Sequence, residues 1–233
     1  MTPVIRGEAL SHKLGCFACH LINKKGLKNY GTKTGNIPPW DKGTAKMYIS
    51  TEDDIRNWIL YGSWGKRPFD PKETFGWEKP LIPMPAYKNE ISRQDLEDLV
   101  AYFKAVNWWD PKISEIAYGG LYVSHKMGCL GCHGPSGLGG ITNPGSKNNQ
   151  IPPWNGKRFG ELARNEDEIK EWILEGIIER LKKDPDDMKY RRKHKTRMPA
   201  YKKYIDNTQL KKIVAYILYV REGKCGEDLN YTD

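Results

Sequence analysis

The stretch His12-Lys13-Leu14-Gly15-Cys16-Phe17-Ala18-Cys19-His20 returns as His125-Lys126-Met127-Gly128-Cys129-Leu130-Gly131-Cys132-His133, displaced by 113 positions. A repeat of this kind sets the organisation of a chain before any element is assigned. Further on the displacement is 114. It relates Ile37-Pro38-Pro39-Trp40 to Ile151-Pro152-Pro153-Trp154, Trp58-Ile59-Leu60 to Trp172-Ile173-Leu174, and Asp70-Pro71 to Asp184-Pro185. It also relates Met84-Pro85-Ala86-Tyr87-Lys88 to Met198-Pro199-Ala200-Tyr201-Lys202, and Val100-Ala101-Tyr102 to Val214-Ala215-Tyr216. The 233 residues therefore read as two homologous units, 1–112 and 113–233, each long enough to bury its own core. They join at Trp108-Trp109-Asp110-Pro111-Lys112, where Pro111 is expected to stop a helix, and so short a linker predicts units in contact.

Each unit reads as a short helix, a cysteine loop, a middle helix, a Pro- and charge-rich loop, a Met loop and a terminal helix. In the first unit Ser92 is a candidate N-cap, and Leu96, Leu99, Val100, Phe103 and Val106 share one helical face. Leu210, Ile213, Val214, Ile217 and Leu218 do so in the second. The middle helices open at Thr51-Glu52-Asp53-Asp54 and Asn165-Glu166-Asp167-Glu168, and turn Ile55, Trp58, Ile59 and Ile169, Trp172, Ile173 inward. These stripes read as core. Strand signals are weak throughout, so the expected fold class is all-α.

Cys-x-x-Cys-His is the attachment signature for c-type haem. Two cysteines three apart reach the two vinyl groups of one haem as thioethers, and the adjacent His20 or His133 sits beneath the iron. A zinc site or a redox-active dithiol competes for Cys-x-x-Cys, but no second pair within either unit completes four zinc ligands. The second axial ligand must come from elsewhere. Met84 lies 64 residues after His20 and Met198 lies 65 after His133, each opening the same Met-Pro-Ala-Tyr-Lys segment. A thioether is a soft ligand that favours ferrous iron and suits an electron carrier, whereas a Met that merely packs is the plain alternative. The expected cofactors are two haems c, held by Cys16, Cys19, His20 and Met84 and by Cys129, Cys132, His133 and Met198.

On these motifs the chain, from Gly7 to about Val220, resembles two class I cytochromes c in tandem, as in the dihaem bacterial c-type cytochromes. The resemblance implies two small helical domains, each around one covalent haem, with an aromatic residue of the terminal helix at Tyr102 and Tyr216. It also implies that each proximal His donates its second nitrogen to a backbone carbonyl, with Pro38 or Pro39, and Pro152 or Pro153, as candidates. Trp40 and Trp154 read equally as haem-flanking or as core. His12 and His125, one turn before the cysteines, are weaker candidates for ligands. Cys225, left over from the thioethers, reads as a free thiol of the tail.

The hydrophobic fraction of 38% is low, but 8 Trp, 13 Tyr and 5 Phe supply bulk that a large apolar cofactor would complete. No apolar run approaches the roughly twenty residues of a membrane span, the longest being Ile213 to Val220. The start Met1-Thr2-Pro3-Val4-Ile5-Arg6 lacks a secretory signal, so a processed chain is expected. Formal net charge is +9 before haem carboxylates are counted, and no nucleic-acid motif accompanies it. The expected partners are a redox donor and acceptor docking on the basic stretch Lys189–Arg197; the matching stretch from Phe75 to Pro83 carries only Lys79 as a base. The function implied is electron transfer without substrate chemistry, in the periplasm or an equivalent compartment, as a carrier or as a subunit of an oxidoreductase. A dihaem peroxidase or a sulfur-compound dehydrogenase is the enzymatic alternative; a redox sensor would need a signalling module that is absent here.

Overall fold

The structure of the protein, a computed structural model, describes residues 2–21, 26–31, 35–40, 49–62, 80–110 and 112–223. Asp70-Pro71, the stretch from Phe75 to Lys79, Pro111 and Cys225 lie outside the described residues. Two compact units divide the chain, Met1–Trp109 and Asp110–Asp233. The first holds α1 (Pro3–Lys13), α2 (Cys16–Cys19), α3 (Glu52–Tyr61) and α4 (Arg93–Asn107). The second holds α5 (Glu115–Lys126), α6 (Cys129–His133), α7 (Lys157–Leu162), α8 (Glu166–Glu175), α9 (Glu179–Lys182), α10 (Pro185–Arg191) and α11 (Asn207–Arg221). The fold is all-α, and the described residues add only isolated bridges, Lys28 with Asn36 and Thr142 with Gln150. No helix among them is long and apolar enough to cross a membrane.

The helices start where their side chains can satisfy the first free N–H groups. Thr51 accepts from the Asp54 N–H while the Asp54 carboxylate accepts from the Thr51 N–H, and Ser92 with Asp95 repeats this reciprocal pair at α4. Asn165 caps α8 by accepting from Glu168, and Asp206 with Gln209 closes the box at α11. The end of α4 comes before Pro111. Trp108 takes a left-handed φ of 52°, which turns the Trp109 N–H back onto the Lys104 carbonyl at 3.0 Å. Burial of both indoles, each under a tenth exposed, offsets the strain of that conformation.

In each unit the first helix crosses the last, α1 on α4 and α5 on α11, in backbone contact. A Cβ at Gly7 would lie 1.9 Å from the Asp98 carbonyl oxygen, and one at Gly120 1.9 Å from that of Lys212. Leu96, Leu99, Val100 and Phe103 are buried, as are Leu210, Ile213, Val214 and Ile217. Val106 and Leu218 are only half-buried. At its end the buried face passes instead to Asn107 in α4 and to Tyr219 and Val220 in α11, because 3.6 residues per turn carries the inner face there.

Helices α7, α9 and α10 have no counterpart in the expected layout, which left the stretch before the second Met as loop. They are too short to display a hydrophobic period. Tertiary anchors hold them: Ile178 and Leu181 are buried, and Arg180 reaches across to Glu168 at 2.9 Å. α10 has Asp184 accepting from the Asp186 and Asp187 N–H groups, Pro185 in its first turn, and Lys189 and Arg191 in its last.

Candidate functional site

Gly15 and Gly128, at φ of 74° and 77°, turn the chain sharply out of α1 and α5 into the cysteine helices. That turn brings Cys16, Cys19 and His20 to the wall of one cavity, which Met84 also lines. Cys129, Cys132, His133 and Met198 line the equivalent cavity of the second unit. Every residue expected to attach or ligate a haem therefore meets its partners around one space per unit. None of the four cysteines is in a disulfide.

The imidazoles are oriented from behind. His20 Nδ1 lies 2.8 Å from the Pro38 carbonyl, and His133 Nδ1 lies 3.2 Å from that of Pro152, so the first proline of each pair is the partner. A carbonyl only accepts, so Nδ1 carries the proton and Nε2 keeps its lone pair for a metal. Burial lowers the His20 pKa against the opposing Pro38 bond, and pushes His133 down to about 4. Both rings are neutral at neutral pH, the form that binds iron. Burial also raises Cys16 and takes Cys129 up to about 11, surroundings that favour uncharged sulfur such as a thioether.

The Met loop is held by residues that the motif reading did not single out. Asn29 donates to the Ile82 carbonyl and accepts from the Ile82 N–H, both at 2.9 Å, and Asn143 makes the same pair with Thr196. Tyr87 donates to the Leu14 carbonyl at 3.3 Å and Tyr201 to that of Met127 at 3.1 Å, tying the loop to the turn before the cysteines. Gly62 and Gly176 end α3 and α8 with left-handed φ. A Cβ at either would press on the carbonyl oxygen of Met84 or Met198, at 2.2 and 2.5 Å. The signal for all six was recurrence at the displacement of 114.

The walls are mostly apolar. The stripes read as core also face the cofactor space: Ile55, Trp58, Ile59, Leu99 and Phe103 line the first cavity, and Ile169, Trp172, Ile173, Ile213 and Ile217 the second. Trp58 and Trp172 are half-buried for that reason. Trp40 and Trp154 are buried and each lines its cavity, 5.6 Å from the His20 ring and 5.1 Å from the His133 ring. Tyr216 is buried and donates to the Ser136 carbonyl at 2.9 Å, bracing α11 against the loop after α6. His12 and His125 are exposed and line neither cavity.

The basic stretch does not form one exposed face. Lys189, Arg192, Lys193, Lys195 and Arg197 are exposed, but Arg191 is half-buried, donates to the Gly176 carbonyl and lies 5.1 Å above the Trp172 ring. His194 is also half-buried and turns its Nε2 out of solvent.

The residues present fit a covalently held haem in both cavities, through uncharged sulfurs, a lone pair free on each His, a Met in the lining, and apolar walls. A family model described as cytochrome c matches residues 4–107 and 120–221. Cytochrome c4 of Stutzerimonas stutzeri is 28% identical over 137 residues, 53% of this chain and 55% of that protein. The chain thus spans about half the length of the curated relative it matches.

Proposed function

The chain belongs to the cytochrome c family, with two tandem domains and two covalently bound haems c, and on that premise we propose that it is a carrier of single electrons between proteins outside the cytoplasm, with His20 and Met84 as axial ligands of the first haem and His133 and Met198 as those of the second. A bound haem c supplies a one-electron ferric/ferrous couple. The observation that carries the reading is the pairing, in each cavity, of a His anchored through Nδ1 with a Met whose loop is clamped to α3 or α8. Cys16 with Cys19 and Cys129 with Cys132 form the thioethers. Apolar walls exclude water, which lowers the reorganisation that accompanies a change of charge.

With both His and Met holding it, each iron would have no position left for peroxide or a sulfur compound, and the residues would then serve transfer rather than substrate chemistry. The exposed Lys189, Arg192, Lys193 and Lys195 border the loop that leads to Met198, and their charge would steer an acidic redox protein to that edge. Covalent haem attachment favours the periplasm or an equivalent compartment. Met84→Ala and Met198→Ala test the ligation. Each is expected to remove about half of the weak near-infrared sulfur-to-ferric-iron absorption and to open one haem to cyanide. A wild-type protein that binds cyanide or turns over peroxide, or variants with unchanged absorption, would refute it.

A further inference from the structure

Asn29 and Asn143 each engage both main-chain groups of a single residue far along the chain. Asn29 donates to the Ile82 carbonyl and accepts from the Ile82 N–H, and Asn143 does the same with Thr196, all four bonds at 2.9 Å across a separation of 53 positions. The residue so held lies two before the Met in each unit. The amides are 4% and 5% exposed and line the cofactor cavities, whereas Leu81 and Lys195, next to the held residues, are exposed. Water therefore reaches the loop but not the bonds that fasten it, and a hydrogen bond shielded in this way is hard to exchange for one to solvent.

Beyond the Met the loop is fastened to a helix end. The N–H groups of Tyr87 and Tyr201 donate to the Ile59 and Ile173 carbonyls at 3.1 and 2.9 Å, and those of Lys88 and Lys202 to Leu60 and Leu174 at 3.1 and 3.2 Å. Ahead of the Met, one backbone bond accompanies each Asn pair, from the Leu81 N–H to the Tyr30 carbonyl at 2.9 Å and from the Lys195 N–H to that of Pro144 at 3.1 Å. The stretches 82–87 and 196–201 are thus short bridges fixed at both ends, with the Met between. Pro83 and Pro85 in the first bridge and Pro199 in the second have no N–H with which to add a bond.

We propose that Asn29 and Asn143 are positioning residues that latch the axial Met: each holds its sulfur on the iron by tying the loop two residues upstream, and the opening of the latch sets how fast that iron admits a foreign ligand. The inference rests on Met84 and Met198 being the axial ligands. Opening breaks the sulfur–iron bond and the two bonds of the amide; it moves no electron and no proton. A thioether is a soft ligand that favours ferrous over ferric iron, so the latch matters most in the oxidised protein, where the sulfur is held least firmly by the metal itself.

The test uses the complete dihaem protein in its ferric form, cyanide as the probe, and methyl NMR signals to resolve the two haems. The near-infrared sulfur absorption of the wild type is the control on ligation; its absence would refute the Met ligands themselves, and the latch with them. With that absorption present, Asn143→Ala is expected to speed cyanide entry at the second haem about thirtyfold, from two hydrogen bonds worth about fivefold each, and to leave the first haem at its wild-type rate. Asn29→Ala is expected to do the converse. Thermal unfolding is followed alongside. A lower melting temperature with unchanged cyanide entry would make each Asn an ordinary structural residue and overturn the proposal. Amide hydrogen exchange of the wild type tests the latch without any variant. The Ile82 and Thr196 N–H groups are expected to be protected in the ferric protein and to exchange about tenfold faster, or more, once cyanide occupies the iron. Equal protection with and without cyanide would show that the Met leaves while the latch stays closed, and would overturn the proposal as well.

Discussion

Substituting Gly120 with Ala, against Gly119 with Ala as its twin, isolates the crossing of α5 on α11. Both replacements add one methyl group to the middle of the same helix, and each gains up to about 1 kcal/mol of helix propensity. At Gly119 the new Cβ meets only the Lys212 side chain, with its nearest carbon at 3.3 Å, and that flexible stem can rotate away. At Gly120 it would lie 1.9 Å from the Lys212 carbonyl oxygen and 2.7 Å from the Tyr216 Cβ. Ordinary contact begins near 3.4 Å, so the α11 backbone must retreat by about 1.5 Å. Overpacking a rigid contact costs typically 1–3 kcal/mol, and a backbone neighbour places this case at the top, for a net loss of about 2 kcal/mol. For a unit of this size that lowers the melting temperature by roughly 8–16 °C. The retreat also pulls Tyr216 from the Ser136 carbonyl and from Trp154, beside His133. Thermal unfolding of the haem-loaded protein, followed by circular dichroism, should show Gly119→Ala at or above wild type and Gly120→Ala well below it. Equal melting temperatures for the two variants would refute a backbone contact at this crossing.

Two other outcomes follow from the electrostatics. The Glu168 carboxyl is held at about 2 by its hydrogen bond to Arg180, against an unfolded value near 4.3, so its support of the α8 to α9 contact is complete above the unfolded value and is lost as pH falls toward 2. Acid titration of Arg180→Gln should therefore lose most of its difference from wild type by about pH 2; a difference that persists there would point to packing instead. Reversing Lys189, Arg192, Lys193 and Lys195 to Glu should slow electron exchange with an acidic redox protein and flatten its salt dependence, because exposed charges act over about 8 Å at physiological ionic strength. Stopped-flow rates that match wild type at every salt concentration would move the docking face elsewhere.

The sequence alone determined the duplication, the all-α class and the two Cys-x-x-Cys-His haem motifs, because each rests on residue type at a recurring displacement. Helical periodicity likewise picked out α3, α4, α8 and α11, whose apolar spacing and capping residues are local properties. Tertiary structure decided what depends on neighbours distant in the chain. It chose Pro38 over Pro39 behind His20, since a carbonyl's direction follows from the backbone path and not from composition. It gave the core stripes a second duty as cavity walls, and it built α9 and α10 from a stretch too short to show a period. It also divided one run of bases into exposed Lys189, Arg192, Lys193, Lys195 and Arg197 and half-buried Arg191 and His194. A charge run in sequence carries no burial, and burial arises only when a helix such as α10 turns part of the run toward Trp172 and the cavity.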